Sequence, residues 1–384
     1  MLFKMRRYYA VVLPVLLCLL AFGLRRDSES GASASLMLTN RPRAKGSESY
    51  RRWAFLQEIA GRAAQAEKDG SMVLPAEKGW LFYLPDVYYL TNPSFLQKTK
   101  FRSLKTIVDL KRQLAAHGIT LIVMPIPSKA TIHPEMLPTA YGDEVQTPQN
   151  PSFEPFRWAL EKEGVLFFDP TKILLEAKAQ TGAAQYMPAD THWTFDAMER
   201  VAEELAGMIK ERVALPARPP VAYTRRPTEV SNISDIVFMV ESEEQRKQFG
   251  RQHSVIQQVL QPSGALWQSS RDADILVLGD SFTNIYSYGG KWGTAAGLAE
   301  QLSFHLQRPI DRIAIDGSAA HETRVQLRRE LLRGHSRLAG KRVVIFQFSA
   351  RYLLSSNWKI LELYPDPALM ARKTTSPSKL ARSD

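Results

Sequence analysis

Two short segments of the chain carry the residue types that make up a serine nucleophile and its base. Ser281 follows an apolar run at 275–279 that ends in glycine, a pattern that predicts a buried strand with a sharp turn after it. A serine hydroxyl needs a base to take its proton, and the base needs a carboxylate to orient it. Asp190 and His192 supply both groups, so we expect His192 to deprotonate Ser281 while Asp190 accepts a hydrogen bond from the His192 ring.

Each segment also has an ordinary structural alternative. Serines are common in turns, and Asp190 or Thr194 is suited to cap the helix that the sequence predicts from residue 195. His192 is then a surface residue without a catalytic part. The sequence favours the catalytic interpretation because both segments fall in loops of one predicted sheet.

Five apolar runs predict the strands of that sheet. They lack the alternation of apolar and polar residues that marks a strand with one solvent-exposed face. Continuous apolar runs are typical of parallel strands buried on both faces. Amphipathic stretches separate them, so we expect right-handed βαβ units with helices on both faces and a ligand site beyond the carboxyl ends of the strands. The predicted strands are 119–126, 165–169, 275–279, 313–315 and 343–346, with a further short strand at 79–83. The predicted helices are 50–68, 95–117, 153–163, 170–180, 195–213, 294–307 and 321–333.

The N-terminus predicts export. Lys4, Arg6 and Arg7 precede an uncharged apolar run at 8–24, which as a helix rises about 25 Å, close to the span of a bilayer core. A signal peptide has the same parts, and residues 32–34 (Ala-Ser-Ala) resemble a cleavage site. We expect an uncleaved anchor in a bacterial inner membrane with the rest facing the periplasm. A soluble periplasmic protein after cleavage is the alternative.

The remaining chain divides by composition. Residues 1–24 form the signal anchor or signal peptide and 25–49 a tether, and a single α/β domain is predicted at 50–369. The proline-rich stretch 214–270 interrupts the alternation of strands and helices and is predicted to be an insertion in that domain. The basic, serine-rich segment 370–384 is predicted to be a disordered tail.

Composition excludes several classes of function. Of 384 residues, 45% are hydrophobic, which rules out a largely disordered protein. Cys18 is the single cysteine, so an intramolecular disulfide framework and a cysteine-rich zinc module are excluded, and no His-Glu-x-x-His zinc motif occurs. The net charge is +11, but its lysines and arginines are scattered and no nucleic-acid recognition motif is present. We therefore expect no nucleic-acid partner.

The ordered set of motifs resembles the alginate O-acetyltransferase family of the AlgJ and AlgX type. Residues 279–282 (Gly-Asp-Ser-Phe) resemble the serine block of SGNH hydrolases, and 190–194 (Asp-Thr-His-Trp-Thr) resemble the family's Asp-x-His block. That block precedes the serine, as in the alginate family and unlike most SGNH enzymes. The resemblance covers residues 75–356 and includes further blocks at 79–83, 281–286, 299–303 and 351–353.

The resemblance implies an SGNH hydrolase-like parallel sheet between helices, and an exported enzyme that transfers acetyl groups to hydroxyls of an alginate-like polysaccharide. Ser281 would be the nucleophile, His192 the base and Asp190 its orienting carboxylate, with no cofactor and no metal. Acetyl-CoA is cytoplasmic, so a membrane-bound acyltransferase is the expected partner that passes acetyl groups outward. Two other functions stay open: an esterase with water as acceptor, and a non-catalytic glycan-binding scaffold.

The chain departs from the SGNH pattern in the residues that would hold the oxyanion. The Gly-x-Asn-Asp block, whose asparagine completes that site in SGNH enzymes, is missing from the sequence. Gly317 is our candidate for a backbone donor beside the N–H of Ser281, and Asn284 is a second candidate. Gln347 stands where we expect an acidic residue, which leaves its role open.

Two larger side chains are candidates for substrate binding. Arg324 lies on a predicted helix and is suited to face an anionic substrate, while a solvated helix face is the ordinary alternative. Trp193, beside His192, is suited to stack on a sugar ring, while core packing is the usual place of a tryptophan.

Overall fold

The computed structural model describes residues 46–137, 139–141, 144–145, 147–317 and 320–364. The predicted anchor at 1–24, most of the tether and the predicted tail at 370–384 lie outside these residues. Within the described ranges, no helix combines the length and apolar character that a membrane span requires.

The strands and helices follow the predicted alternation over most of the described chain. The strands are β1 (Val73–Pro75), β2 (Leu81–Tyr83), β3 (Thr120–Ile126), β4 (Leu166–Phe167), β5 (Thr224–Asn232), β6 (Gln252–Leu260), β7 (Ile275–Gly279), β8 (Asp311–Ala314) and β9 (Val343–Ser349). The α-helices are α1 (Glu48–Lys68), α2 (Leu84–Thr91), α3 (Phe95–Lys98), α4 (Arg102–Ala115), α5 (Lys129–Ile132), α6 (Phe153–Lys162), α7 (Thr171–Thr181), α8 (Phe195–Arg212), α9 (Glu243–Arg246), α10 (Ser281–Asn284), α11 (Leu298–Leu306) and α12 (Glu322–Leu332). Short 3-10 helices lie at Glu77–Gly79, Pro134–Met136, Asp235–Met239 and Ala350–Leu354.

Five parallel strands form the central sheet, which confirms the predicted fold class. Their order across the sheet is β4-β3-β9-β7-β8, and every neighbouring pair is parallel. All residues of β7 and β9 are buried, so both faces of the sheet are covered. This burial explains why these strands are continuously apolar in the sequence.

The connections place a crevice at the middle of the sheet. The chain passes from β3 outward to β4, and from β7 outward to β8 in the opposite direction, while β9 fills the position between β3 and β7. Where the strand order reverses in this way, the carboxyl ends of the strands border an open crevice, which is the usual ligand site of a parallel sheet. The loops after β3, β7 and β9 therefore meet where the sequence predicts chemistry.

The insertion at 214–270 has a structure of its own. It contains β5 and β6, which pair as an antiparallel ribbon from Thr224 opposite Leu260 to Asn232 opposite Gln252. The 3-10 helix Asp235–Met239 lies between the two strands. Ile236 and Val237 of this 3-10 helix are buried in a small apolar cluster with residues of β1 and β2, which fixes the insertion beside the carboxyl edge of the sheet.

The predicted helix at 95–117 is wrong in one respect, because the structure divides it into α3 and α4. Lys100 and Phe101, which lie between the two helices, have positive φ angles of 50° and 58°. The Phe101 N–H donates to the Leu96 carbonyl, and the Thr99 hydroxyl donates to the Phe95 carbonyl, which closes the first helix. No glycine or proline marks this break, so the periodicity of the sequence runs across it.

Candidate active site

Ser281 occupies a tight turn directly after β7. It is the first residue of α10, and its side chain is half-buried. The Asp280 carboxylate caps this helix by accepting the Phe282 N–H at 2.9 Å. The first N–H groups of a helix have no acceptor within the helix. The N–H of Ser281 is therefore suited to hold a developing oxyanion.

The turn requires glycine at position 279. A Cβ atom there would overlap the Thr283 hydroxyl and lie 3.0 Å from Oε1 of Gln347. Oε1 of Gln347 accepts the Thr283 hydroxyl at 2.6 Å, so the side chain of β9 reaches across to the turn that follows β7. The space that glycine leaves is thus filled by the groups that hold the serine turn.

His192 and Asp190 lie in the loop before α8 and meet Ser281. Nε2 of His192 is 2.8 Å from Oγ of Ser281, and Nδ1 is 2.7 Å from Oδ1 of Asp190. Asp190 and His192 are both buried. The structure thus brings the three predicted side chains into one hydrogen-bonded chain, in the order that proton transfer from the serine hydroxyl requires.

Of the two residues suited to cap α8, Thr194 is its N-cap and Asp190 is not. The Thr194 side chain accepts the Ala197 N–H at 3.3 Å and is the N-cap of α8. Since Thr194 caps the helix, the Asp190 carboxylate is free to orient the His192 ring, and its Oδ1 also accepts the His192 backbone N–H at 3.1 Å.

The second oxygen of Asp190 is held by two donors. The indole N–H of Trp292 and the backbone N–H of Asp235 each donate to Oδ2 at 3.0 Å. Burial opposes ionisation of Asp190, but the hydrogen bond and charge of His192, together with these two donors, outweigh it and lower its pKa to about 2. Asp190 is therefore a carboxylate at any pH near neutrality.

His192 sits among opposing influences on its charge. Burial disfavours the imidazolium, but the hydrogen bond with Asp190 and the negative charges of Asp235 and Asp190 outweigh burial and raise its pKa, while Lys291 opposes them. The site therefore favours the protonated ring more than water does, which suits a base that must take a proton from a serine hydroxyl.

Lys129 is a buried residue of the site that the sequence analysis missed. It is the first residue of α5, in the loop after β3, and it is fully buried. Its Nζ has three N–H donors and lies within hydrogen-bonding distance of four backbone carbonyls, those of Leu81 (2.9 Å), Met187 (2.8 Å), Pro188 (2.5 Å) and Asp190 (3.0 Å). Lys129 thus ties the loop that carries Asp190 and His192 to the carboxyl edge of the sheet. Burial lowers its pKa to about 7, against the nearby carboxylates of Asp190, Asp235 and Asp86.

A second buried cation lies behind the serine turn. Arg351 follows β9, and its Nη1 is 3.2 and 3.3 Å from the two carboxylate oxygens of Asp86. Its guanidinium lies 5.8 Å from the centre of the Phe282 ring, and the same ring lies 4.8 Å from the His192 ring. The ion pair of Arg351 with Asp86 thus packs against the ring that also contacts His192.

The two candidates for substrate binding are wrong as assigned. Arg324 is 2% exposed, and its guanidinium donates to the carbonyls of Ala320 and Lys359 at 2.8–2.9 Å, so it reaches neither substrate nor solvent. Trp193 is fully buried and packs edge-on against Phe282 at 5.4 Å between ring centres. Helical position alone does not distinguish an exposed arginine from one that caps carbonyls inside the fold.

The two oxyanion candidates have different surroundings. Nδ2 of Asn284 donates to the Ala314 carbonyl at 3.2 Å and lies 3.4 Å from Oδ1 of Asp316. The amide hydrogens of Asn284 are thus used to join α10 to the loop after β8, which corrects its assignment to the oxyanion site. Gly317 lies in the turn after β8 with a φ of 76°, and its role as a backbone donor stays a prediction.

One cluster within the described residues has the donor types of a metal site. Side-chain ligand atoms of Asp190, His192 and Asp235 lie within 4.8 Å of one another. Nδ1 of His192 and Oδ1 of Asp190 are hydrogen-bonded to each other, and Oδ2 of Asp190 accepts two N–H groups. A cation would have to displace all of these bonds. The donor set fits a proton-transfer network and not a metal site.

Several classes of serine hydrolase present a hydrogen-bonded serine, histidine and aspartate at the carboxyl edge of a parallel sheet, and the family match assigns this chain to the SGNH hydrolase-like class. Residues 73–350 match the family model of the SGNH hydrolase-like domain of the acetyltransferase AlgX. The chain therefore belongs to this family, and the resemblance seen in the sequence is confirmed.

Individual relatives agree with this assignment. The chain is 24% identical over 226 residues to the probable alginate O-acetylase AlgJ of Pseudomonas syringae pv. tomato. This alignment covers 57% of this chain and 56% of that protein. The chain thus aligns with little more than half of this relative's length. The fold is similar to the O-acetyltransferase domain of Pseudomonas putida AlgJ (TM-score 0.58, 20% identity, 79% of this chain and 99% of that chain). It is also similar to Pseudomonas aeruginosa AlgX (TM-score 0.53, 17% identity, 74% and 66%).

Proposed function

We propose that this protein is an exported O-acetyltransferase that moves acetyl groups onto hydroxyls of a polysaccharide through an acetyl-serine intermediate. The observation that carries the proposal is the hydrogen-bonded chain from Ser281 through His192 to Asp190. Its serine end is half-exposed while the other two side chains are buried. A substrate therefore reaches Oγ of Ser281 and the adjoining Nε2 of His192, while Asp190 stays enclosed behind the ring.

The first half of the reaction forms the acetyl-serine. Oγ of Ser281 attacks the carbonyl carbon of an acetyl donor while Nε2 of His192 takes the hydroxyl proton. The N–H of Ser281, joined by a backbone donor of the Gly317 turn, stabilises the negative oxygen of the tetrahedral intermediate. The intermediate collapses, the bond to the leaving group breaks, and His192 gives its proton to that group. Asp190 stabilises the imidazolium throughout.

The second half transfers the acetyl group to sugar. An acceptor hydroxyl loses its proton to Nε2 of His192 as its oxygen attacks the acetyl-serine carbonyl. The second tetrahedral intermediate breaks the bond to Oγ of Ser281, and the proton returns from His192 to the serine. The enzyme ends as it began, and each proton is carried by His192 alone.

The proposed acceptor is an anionic polysaccharide, and the proposed acetyl donor lies in the membrane. One relative is named a probable alginate O-acetylase, alginate is a polyuronate, and a net charge of +11 suits an anionic polymer of this kind. Export would separate the enzyme from cytoplasmic acetyl-CoA, so the proposal includes a membrane-bound acyltransferase as the source of acetyl groups. The predicted anchor at 1–24 would keep the protein at the inner membrane beside that partner.

The proposal is tested by incubating the protein with a chromogenic acetyl ester and oligouronates, and by counting sugar acetyl esters and free acetate separately. We expect acetylated oligouronate with the native protein and none with Ser281→Ala. If acetate is released at a rate that oligouronates do not alter, and no sugar ester forms, the protein is an esterase. Equal sugar acetylation by Ser281→Ala would overturn the mechanism.

A further inference from the structure

Asp235 brings a second carboxylate to the histidine of the site. It is the first residue of the 3-10 helix Asp235–Met239, which the insertion places beside the loop of Asp190 and His192. Its Oδ2 lies 3.5 Å from Nδ1 of His192, the same nitrogen that faces Asp190. None of the motifs in the sequence points to this residue, because it lies far along the chain from both the histidine and the serine segments.

Asp235 both accepts hydrogen bonds from and donates one to the loop that carries Asp190 and His192. Its Oδ1 accepts the Thr191 backbone N–H at 2.8 Å, and its Oδ2 accepts the Thr191 hydroxyl at 2.6 Å. In return, its own backbone N–H donates to Oδ2 of Asp190 at 3.0 Å. The Thr191 hydroxyl oxygen lies 3.1 Å from Nδ1 of His192, so it stands between the second carboxylate and the ring.

Two carboxylates at one nitrogen repel each other unless a positive charge lies between them. Desolvation and the charge of Asp190 raise the pKa of Asp235 to about 6, and the positive charge of His192 acts in the opposite direction. The repulsion between Asp190 and Asp235 is thus relieved most when His192 is an imidazolium. That is the state that forms as the ring takes the serine proton, so the arrangement stabilises the transition state more than the resting state.

We propose that Asp235 is a positioning residue of this site, which acts through His192 by holding Thr191 and by supporting the protonated ring together with Asp190. This inference rests on the proposed function, since it assigns a role within the same proton transfer. It gives the insertion at 214–270 a part in the chemistry, because the insertion delivers the second carboxylate.

The charged groups around His192 fix the sign of the expected effect. Asp190 and Asp235 favour the imidazolium, and Lys291 disfavours it. Lys291 itself pairs with Asp316 at the edge of the site. Asp86 also interacts with the charge of His192, and Lys129 interacts with the charges of Asp190, Asp235 and Asp86. When the charge of Asp235 is removed, only Asp190 stabilises the imidazolium while Lys291 still destabilises it, so the pKa of His192 must fall.

The test is an NMR titration of the His192 ring in Ser281→Ala, with and without Asp235→Asn. Asparagine keeps the backbone N–H to Asp190 and an acceptor for Thr191 but removes the charge. We expect the pKa of His192 to fall by about one unit, less at high salt because the Asp235 side chain is 37% exposed. Glu244→Gln, an exposed carboxylate of the same insertion, is the matched control and should leave it unchanged.

The kinetic counterpart uses the protein with Ser281 intact. In Asp235→Asn the acid limb of the kcat/KM profile should move to lower pH by the same amount, and kcat at the plateau should fall roughly three- to tenfold because the base is weaker. A residue that only anchors the loop would lower the rate without moving the limb. Asp235→Ser, which keeps an acceptor toward Thr191, should shift the limb in the same direction if Asp235→Asn does not fold.

An unchanged His192 pKa in folded Asp235→Asn or Asp235→Ser would overturn the inference. The titration needs no turnover, so it is independent of the proposed function. If Ser281→Ala still acetylates sugar, the proposed function fails whatever the titration gives. If Ser281→Ala is inactive and the titration shows no shift, only the role of Asp235 fails.

Discussion

Gln347 and Asp280 hold each other in a closed ring of hydrogen bonds beneath the nucleophile turn. Nε2 of Gln347 donates to Oδ1 of Asp280 at 2.8 Å, and the Asp280 backbone N–H donates back to Oε1 of Gln347 at 3.0 Å. The other carboxylate oxygen of Asp280 accepts the Ser349 N–H at 2.8 Å. Strand β9 therefore fixes the residue that precedes Ser281, and an amide serves position 347 because it can donate and accept.

Gln347→Glu should destabilise the fold and reduce acetyl transfer. The new carboxylate would face that of Asp280 at a fully buried position, and we expect a loss of about 2–4 kcal/mol in the free energy of unfolding. The buried glutamate would have a raised pKa, so the loss should be largest at pH 8 and smaller as the pH falls and the new acid is protonated. Urea unfolding at several pH values measures this. Gln248→Glu, on the exposed surface, is the control, and equal stability of the two variants would contradict the account.

Lys129→Met should lower kcat by at least about tenfold, because the loop of Asp190 and His192 loses the cation that holds four of its neighbouring carbonyls. The loss of these hydrogen bonds should also cost about 2 kcal/mol or more of stability, although the carbonyls of Met187 and Pro188 keep a backbone N–H donor. Activity is measured well below the melting temperature of the variant, so that loss of rate and loss of fold are separated. Lys172→Met, at a side chain that is 84% exposed, should change neither quantity. Wild-type kcat in folded Lys129→Met would exclude a positioning role.

Trp292→Phe should lower kcat/KM by roughly tenfold while keeping the buried ring. The substitution removes the N–H that donates to Oδ2 of Asp190, and a hydrogen bond to a charged group contributes about 1.5–3 kcal/mol. Without this donor the pKa of Asp190 rises and its hold on His192 weakens. Trp158→Phe, at an exposed tryptophan, is the matched control. Equal kcat/KM for Trp292→Phe and the native protein would show that the indole N–H has no part in orienting Asp190.

The rate of acetyl transfer should rise with pH through the pKa of His192. Asp190 is ionised throughout because its pKa is about 2, so the acid limb reports His192, which must be neutral to act as base. The surrounding carboxylates raise the pKa of His192, so the limb should lie above pH 6.5, the ordinary value of histidine. A profile of kcat/KM between pH 5 and 9 measures it, and a flat profile over that range would contradict the assignment of His192 as the base.

Sequence patterns predicted the elements whose signals are local. Continuous apolar runs gave the five parallel strands, because strands buried on both faces have no polar positions to break the run. Ser281, His192 and Asp190 could be predicted to meet because a serine nucleophile demands those residue types and the sheet topology gathers loops at one edge, and the structure places them within hydrogen-bonding distance. The prediction of β4 was correct in place but too long, since the observed strand is only Leu166–Phe167 at the edge of the sheet.

The groups that act through long-range contacts were not predictable in the same way. Lys129, Gln347 and Asp235 each come from a different loop or strand, and their partners lie tens of residues away in sequence. Nothing in a lysine that follows a strand indicates that it is buried among carbonyls. The prediction that Arg324 faces a substrate was wrong for a related reason. The sequence of a helix does not indicate whether an arginine side chain points outward or donates to carbonyls inside the fold.

The most direct test of the central claim is the mass of the protein during turnover. After rapid mixing with an acetyl ester and acid quenching, we expect a gain of about 42 Da, one acetyl group in place of a proton, on the peptide that contains Ser281. The gain should disappear when oligouronates are added and should be absent in Ser281→Ala and in His192→Ala. An acetyl group on another residue, or sugar acetylation that continues at the native rate in Ser281→Ala, would contradict the account.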